Sequence, residues 1–196
     1  MMKKIQSGLT NPKTIIGIDY SLTSPAICVT KDFIFENSQF YYLTNKKKYI
    51  GPMSKNIFGF EHQEYNTPIH RFSQISDWAF DTIKETFHTH QQVYIEGYSF
   101  GSKGQAVFQI AENCGILKYR LQQFGVDYDT VVPSVVKKGA TGKGNADKDL
   151  MYESFSKETN TNLKKIFDVE KIGNPVSDIV DSFYIAKVGY ENSSSH

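Results

Sequence analysis

Four carboxylates stand where a phosphoryl chemistry would need them. Asp19 closes the apolar run Ile15, Ile16, Ile18; Glu96 closes Val93-Tyr-Ile; Asp178 and Asp181 lie three apart in a late segment with an apolar face. The first two end short apolar strands, where solvation is poor. The last two project from one side of a helix. Each has a plainer role open to it. Asp19 alone serves equally well as a turn acid bonding backbone amides, and any of the others can be solvated. Gathered in one place, four like charges are unfavourable without cations between them. Hard divalent ions with oxygen ligands are the natural partners. Two such ions about 3.5–4 Å apart activate a water and stabilise the leaving oxygen of a phosphodiester. Acids without an accompanying His/Cys cluster favour Mg²⁺, with Mn²⁺ as its substitute, over Zn²⁺.

The elements that must position these acids follow in chain order. Residues up to about Pro12 form a basic lead-in. The pattern predicts a strand along the run Ile15, Ile16 and Ile18 with Asp19 at its end, a turn over Ser21–Ser24 and a second strand over Pro25–Thr30. Phe33-Ile-Phe with Gln39–Thr44 supplies a third, and short turns make the three antiparallel. Residues 45–68 carry Lys46-Lys-Lys48, two glycines and no clear periodicity, so they read as a long connection. Its lysines are either solvated or in contact with phosphate. Ile69, Phe72, Ile75, Trp78, Ala79, Ile83 and Phe87 recur at helical spacing. His88 and His90 follow, more in keeping with surface residues at a helix end than with metal ligands.

Val93–Glu96 is a fourth strand, followed by a glycine-rich loop to Gly104. A helix over 105–124 carries the seam Val107, Ile110, Cys114, Leu117, Leu121 and Phe124, which suits packing on the sheet or on a second copy. Asp127–Val132 is a fifth strand, ended by Pro133. The stretch 135–149 alternates lysine and glycine. It is not a P-loop, because Lys143 is followed by Gly144. Its amides and lysines still suit phosphate, with Asn145 capping a helix to about Lys157. Pro175 opens a last helix, and Tyr190 begins a polar tail.

The chain has 196 residues and a formal charge of +1. One domain over 1–196, with a core of about 14–188, accommodates that length. Near-neutral charge confines any nucleic-acid binding to local basic patches. Cys28 and Cys114 read as reduced core thiols. Met1-Met-Lys-Lys-Ile is not followed by an apolar leader, and no run reaches the length of a membrane span. The expectation is therefore a soluble, cytoplasmic protein without a membrane partner.

Three strands, a helix, a strand, a helix, a strand and closing helices resemble the RNase H-like fold. Within it the chain resembles the RuvC-type Holliday junction resolvases. The likeness is carried by Ile16-Gly-Ile-Asp-Tyr-Ser-Leu-Thr23, Tyr94-Ile-Glu-Gly97, Gly139-Ala-Thr-Gly-Lys-Gly-Asn-Ala-Asp-Lys148 and Ser177-Asp-Ile-Val-Asp-Ser-Phe-Tyr-Ile-Ala186, in that order. It implies an α/β fold whose mixed five-stranded sheet is flanked by helices. It also implies that Asp19, Glu96, Asp178 and Asp181 bind two Mg²⁺ ions. Lys137, Lys138, Lys143 and Lys148 would meet DNA phosphates, and Tyr98 and Phe100 would face the junction. The implied activity is cleavage of four-way or branched DNA by a homodimer, leaving 5′-phosphate ends. The compact form looks phage- or virus-like, which would put the protein in a bacterial or host-cell cytoplasm.

Two stretches depart from the family pattern. The 45–68 connection is longer, and Gly97-Tyr-Ser-Phe-Gly101 differs from the typical cellular enzymes. Two other readings share the fold: a nuclease acting on RNA–DNA hybrids, and a non-catalytic protein binding branched DNA. Actin-like and sugar-kinase ATPases also open on a strand ending in Gly-Ile-Asp, but this sequence has no convincing second phosphate hairpin.

Overall fold

The computed structural model describes residues 13–86, 91–98 and 105–194. Its strands are Thr14–Asp19 (β1), Ala26–Thr30 (β2), Gln39–Thr44 (β3), Gly51–Ser54 (β4), Ile57–Glu61 (β5), Gln91–Glu96 (β6) and Tyr128–Val131 (β7). Its helices are Pro68–Lys84 (α1), Gln105–Gln123 (α2), Pro133–Thr141 (α3), Lys148–Thr159 (α4), Leu163–Phe167 (α5) and Val176–Ser193 (α6). The strands form one mixed sheet in the order β4-β5-β3-β2-β1-β6-β7. β1 pairs antiparallel with β2 and parallel with β6, so Asp19 and Glu96 end neighbouring strands at the same sheet edge.

Alternation along the strands assigns two cores. Ile16, Ile18, Ile27, Leu43, Val93 and Ile95 face α1 and α2, joining Ile75, Ala79, Cys114, Leu117 and Leu121. Ile15, Cys28, Phe40, Tyr42 and Tyr94 face the other way, against Phe155 of α4, Phe167 of α5 and Ile179 and Phe183 of α6. Both thiols are free and buried. Among the described residues, no helix is long and apolar enough to cross a membrane. Gly17 lets β1 and α6 touch. A Cβ there would collide with the Ser182 carbonyl and the Ala186 amide, and would lie 2.7 Å from the Ala186 Cβ.

The expected RNase H-like class holds, but the sheet has seven strands, not five. The added pair comes from 45–68, expected as a connection. β5 runs parallel beside β3, and β4 closes as an antiparallel edge. These strands have four and five residues and are only partly buried, so their alternation is faint in the sequence. Cross-strand rings hold them: Phe58 lies 5.7 Å and Phe60 6.4 Å from Tyr41. The buried Asn56 amide donates to the carbonyls of Phe35 at 2.7 Å and Ser38 at 3.1 Å. Phe35–Asn37 is accordingly a 3-10 turn and not part of a strand.

Three further boundaries differ. Pro133 does not lead into a loop but starts α3, where its missing N–H costs nothing; Gly142, at φ +78°, ends that helix. Asp147, not Asn145, caps α4 by accepting the Leu150 amide at 2.9 Å. The tail after Tyr190 begins as the last turn of α6. His88 and His90 lie outside the described residues.

Candidate active site

The fold brings all four predicted acids to one place. Asp19 arrives on the central strand, Glu96 on its parallel neighbour, and Asp178 and Asp181 on the first turns of α6, which crosses the same strands. Asp19 and Asp178 are buried, at 7% and 6% exposure. Their mutual influence appears in their acidities. The Asp19 carboxyl is held well above the usual range by burial and then by the charges of Asp178, Glu96 and Asp181, with Lys148 opposing. Burial and Asp181 push Glu96 up to about 7, against the pull of Lys137. Burial and Asp178 push Asp181 up to about 6, against Lys148 and Lys137. Burial also raises Asp178, which two hydroxyls and the cations of Lys148 and Lys46 restrain. Ser24 Oγ donates to one carboxylate oxygen of Asp178, and Ser177 Oγ donates to the other at 3.1 Å.

A cleft of about 520 Å³ opens beside these groups, lined by Asp19, Glu96, Tyr98, Lys137 and Asp181 among others. The donor set is all oxygen and short of positive charge, which fits a hard divalent cation. Among the described residues no three His, Cys, Asp or Glu groups already stand at the spacing of a coordination shell.

The predicted DNA-facing residues divide. Lys137, on α3, and Lys148, at the start of α4, flank the acids, and Lys148 Nζ donates to Ser177 Oγ at 3.2 Å. Lys138 and Lys143 are exposed on and just beyond α3. Lys137 and Lys138 are not on a loop of free amides, because α3 uses the backbone of 133–141 for its own hydrogen bonds. Tyr98 is 43% exposed, with Lys118 Nζ 5.2 Å from its ring centre. Phe100 lies outside the described residues.

No protein-family model matches the chain. Two curated proteins named crossover junction endodeoxyribonuclease RuvC are similar to it. The one from Brachyspira hyodysenteriae is 29% identical over 104 residues, 53% of this chain and 62% of that protein. The one from Campylobacter concisus is 32% identical over 99 residues, 50% of this chain and 57% of that protein. The chain therefore matches roughly three fifths of the length of these relatives. Solved structures extend the likeness. Thermus thermophilus RuvC superposes with a TM-score of 0.55 at 14% identity, over 92% of this chain and 96% of that one. The same protein in complex with a Holliday junction substrate gives 0.59 at 13% identity, over 93% and 96%. Sequence and fold both set this chain beside RuvC.

Within this RuvC-like frame, sequence reasoning missed three contributors. Ser24 was legible only as a turn residue, and Ser177 only as part of a motif. Lys46 belongs to a lysine run that reads as solvent-facing, yet it donates to the Asn174 carbonyl at 2.9 Å, just before α6. Ser24 and Lys46 have no local signal, because each acts on a residue far away in the chain; Ser177 bonds its own neighbour, Asp178, which its place in the sequence alone does not announce.

The raised acidities give a stability prediction for the cation-free protein. Unfolded carboxylates titrate near pH 4, whereas Asp181 and Glu96 titrate at about 6 and about 7 in the fold. The folded state holds more protons between those limits. Its stability is therefore full below about pH 4 and falls as pH rises through about 6 and 7. A loss of a few kcal/mol is expected across that window, read as a falling melting temperature in chelator from pH 5 to 8. Glu96→Gln should flatten the slope; an equal slope in both proteins would refute the assignment.

Proposed function

We propose that this protein is a structure-selective DNA endonuclease that resolves four-way or branched DNA by divalent-cation-dependent phosphodiester hydrolysis. The observation carrying this is the convergence of Asp19, Glu96, Asp178 and Asp181 from three elements, with Lys137 and Lys148 beside them. Asp19, Glu96, Asp178 and Asp181 would hold two Mg²⁺ ions, with Mn²⁺ as a substitute. The bound ions would supply an activated water and charge neutralisation at the leaving oxygen. The chain's own residues do the rest. Burial and mutual repulsion disfavour the charged carboxylates, a penalty that a bound cation would relieve. Ser24 and Ser177 orient Asp178. Lys137, Lys138, Lys143 and Lys148 lie where a DNA backbone approaching the cleft would pass, adding affinity without sequence information. Tyr98, at the mouth, is placed to stack on an exposed base.

The test is cleavage of a synthetic four-way junction in Mg²⁺, beside linear duplex and an RNA–DNA hybrid. Paired symmetric nicks confined to the junction are expected. Cutting restricted to the RNA strand would assign a hybrid nuclease instead, and binding without cutting in Mg²⁺ or Mn²⁺ would assign a non-catalytic protein.

A homodimer completes this reading. Cys114, Leu117 and Leu121 of the expected seam are consumed by the core. The opposite face of α2 leaves Phe108 at 69% and Tyr119 at 64% exposure, apolar area suited to a second copy. Phe108→Glu with Tyr119→Glu should halve the mass seen in sedimentation and reduce paired nicking to single nicks. A variant still dimeric would exclude this face.

A further inference from the structure

The 45–66 extension ends on both sides at the candidate centre. On the entering side, Lys46 Nζ donates to the Asn174 carbonyl at 2.9 Å, two residues before α6 begins. On the leaving side, His62 Nε2 donates to the Thr23 carbonyl at 3.0 Å. Arg71, one helical turn into α1, donates to the preceding carbonyl, Leu22, at 2.6 Å. One contact thus grips the segment that presents Asp178 and Asp181. The other two grip the loop between Asp19 and Ser24, whose hydroxyl bonds Asp178.

Both legs are anchored. The Tyr42 hydroxyl donates to the Tyr49 carbonyl at 2.6 Å, and the Tyr49 ring packs edge-on against Phe167 at 5.4 Å. On the other leg, Gln74 Nε2 donates to the Glu64 carbonyl at 2.9 Å, and the Arg71 guanidinium lies 5.1 Å from the Tyr65 ring centre. Between the legs, β5 is locked in register beside β3. The connection is therefore hydrogen-bonded at both ends, to two carbonyl-bearing segments 151 residues apart in the chain, Thr23 and Asn174.

We propose that the 45–66 extension braces the centre, with its Lys46 and His62, and Arg71 of the adjoining α1, as positioning residues that hold the two acid-bearing segments in register. The inference rests on the role proposed above for the four acids. The carboxylates repel one another, so the segments carrying them need a restraint, and bonds to backbone carbonyls provide one that occupies no carboxylate oxygen. Small displacements of reacting groups are costly, about 10²-fold for about 1 Å.

The test uses Lys46→Met and His62→Leu, singly and together, with His62→Gln retaining a donor. In the cation-free full-length protein, amide exchange over 20–26 and 174–180 should quicken about tenfold in the double variant. The Mn²⁺ concentration giving half-saturation, read by electron paramagnetic resonance, should rise about tenfold. At saturating junction the single-turnover rate should fall about 10- to 100-fold, with junction affinity within about twofold, and His62→Gln should recover most of the single-variant loss. Unchanged exchange and unchanged Mn²⁺ binding would overturn the brace, whatever cleavage shows. Weaker junction binding with an unchanged rate at saturation would also overturn it, making Lys46 a DNA contact. A wild type that cuts no junction would count against the nuclease reading alone, with exchange and Mn²⁺ binding still deciding the brace.

Discussion

Asp19→Asn should abolish junction cleavage by about 10³-fold or more while leaving junction binding intact. Asp19 is the acid that feels all three others, on the central strand of the sheet. Asparagine keeps the side chain's size and removes one negative charge, so any cation held there loses part of its binding energy. A thousandfold loss corresponds to about 4 kcal/mol of transition-state stabilisation, in line with the several kcal/mol that a bound metal supplies. Affinity for DNA should persist, because the flanking lysines are untouched. The same substitution relieves like-charge repulsion, so the cation-free variant should melt no lower than wild type. Saturating Mg²⁺, at about a hundred times its dissociation constant, should stabilise wild type by about 2.7 kcal/mol. That is about 5–10 °C for a chain of this size, and the variant should show little of it. Cleavage within tenfold of wild type, or an undiminished thermal response to Mg²⁺, would remove Asp19 from the centre.

Gly17→Ala should cost about 3 kcal/mol of stability, at the upper end of what overpacking costs, and should lower cleavage as well. The added methyl would meet the Ser182 carbonyl and the Ala186 amide, both backbone, as well as the Ala186 Cβ. Backbone cannot rotate aside, so α6 has to move away from β1. Asp178 and Asp181 ride on α6 while Asp19 is two residues from Gly17, and the shift separates the acids. Gly115→Ala is the control. It is exposed on α2 with nothing near its Cβ, so helix propensity alone should stabilise it by about 0.5–1 kcal/mol. Chemical denaturation of both variants, with junction cleavage assayed alongside, reads the two effects. A Gly17→Ala protein as stable and active as wild type would mean that this close approach does not set the site.

The central strands, the long helices and the four carboxylates that the fold gathers were all legible in the sequence. Ile15, Ile16 and Ile18 ending at Asp19, and Val93 and Ile95 ending at Glu96, announce themselves because burial on two faces leaves an unbroken apolar run. Asp178 and Asp181 are legible because helical spacing places them on one side. Local chemistry suffices for such signals. It did not suffice for β4 and β5, whose short, half-exposed strands are stabilised by Tyr41 and by Asn56, neither of which advertises a partner. Nor did it reveal α3, where valines and lysines read as loop because the helix buries only Val136 fully. Ser24 on Asp178, Lys46 on Asn174 and His62 on Thr23 were decided by tertiary structure alone. Each joins a side chain to a group far off in the chain, and such a contact leaves no periodicity or composition behind. The acids could be read one at a time, but what holds them together could not, because repulsion among like charges is answered by contacts that only the folded chain brings into reach.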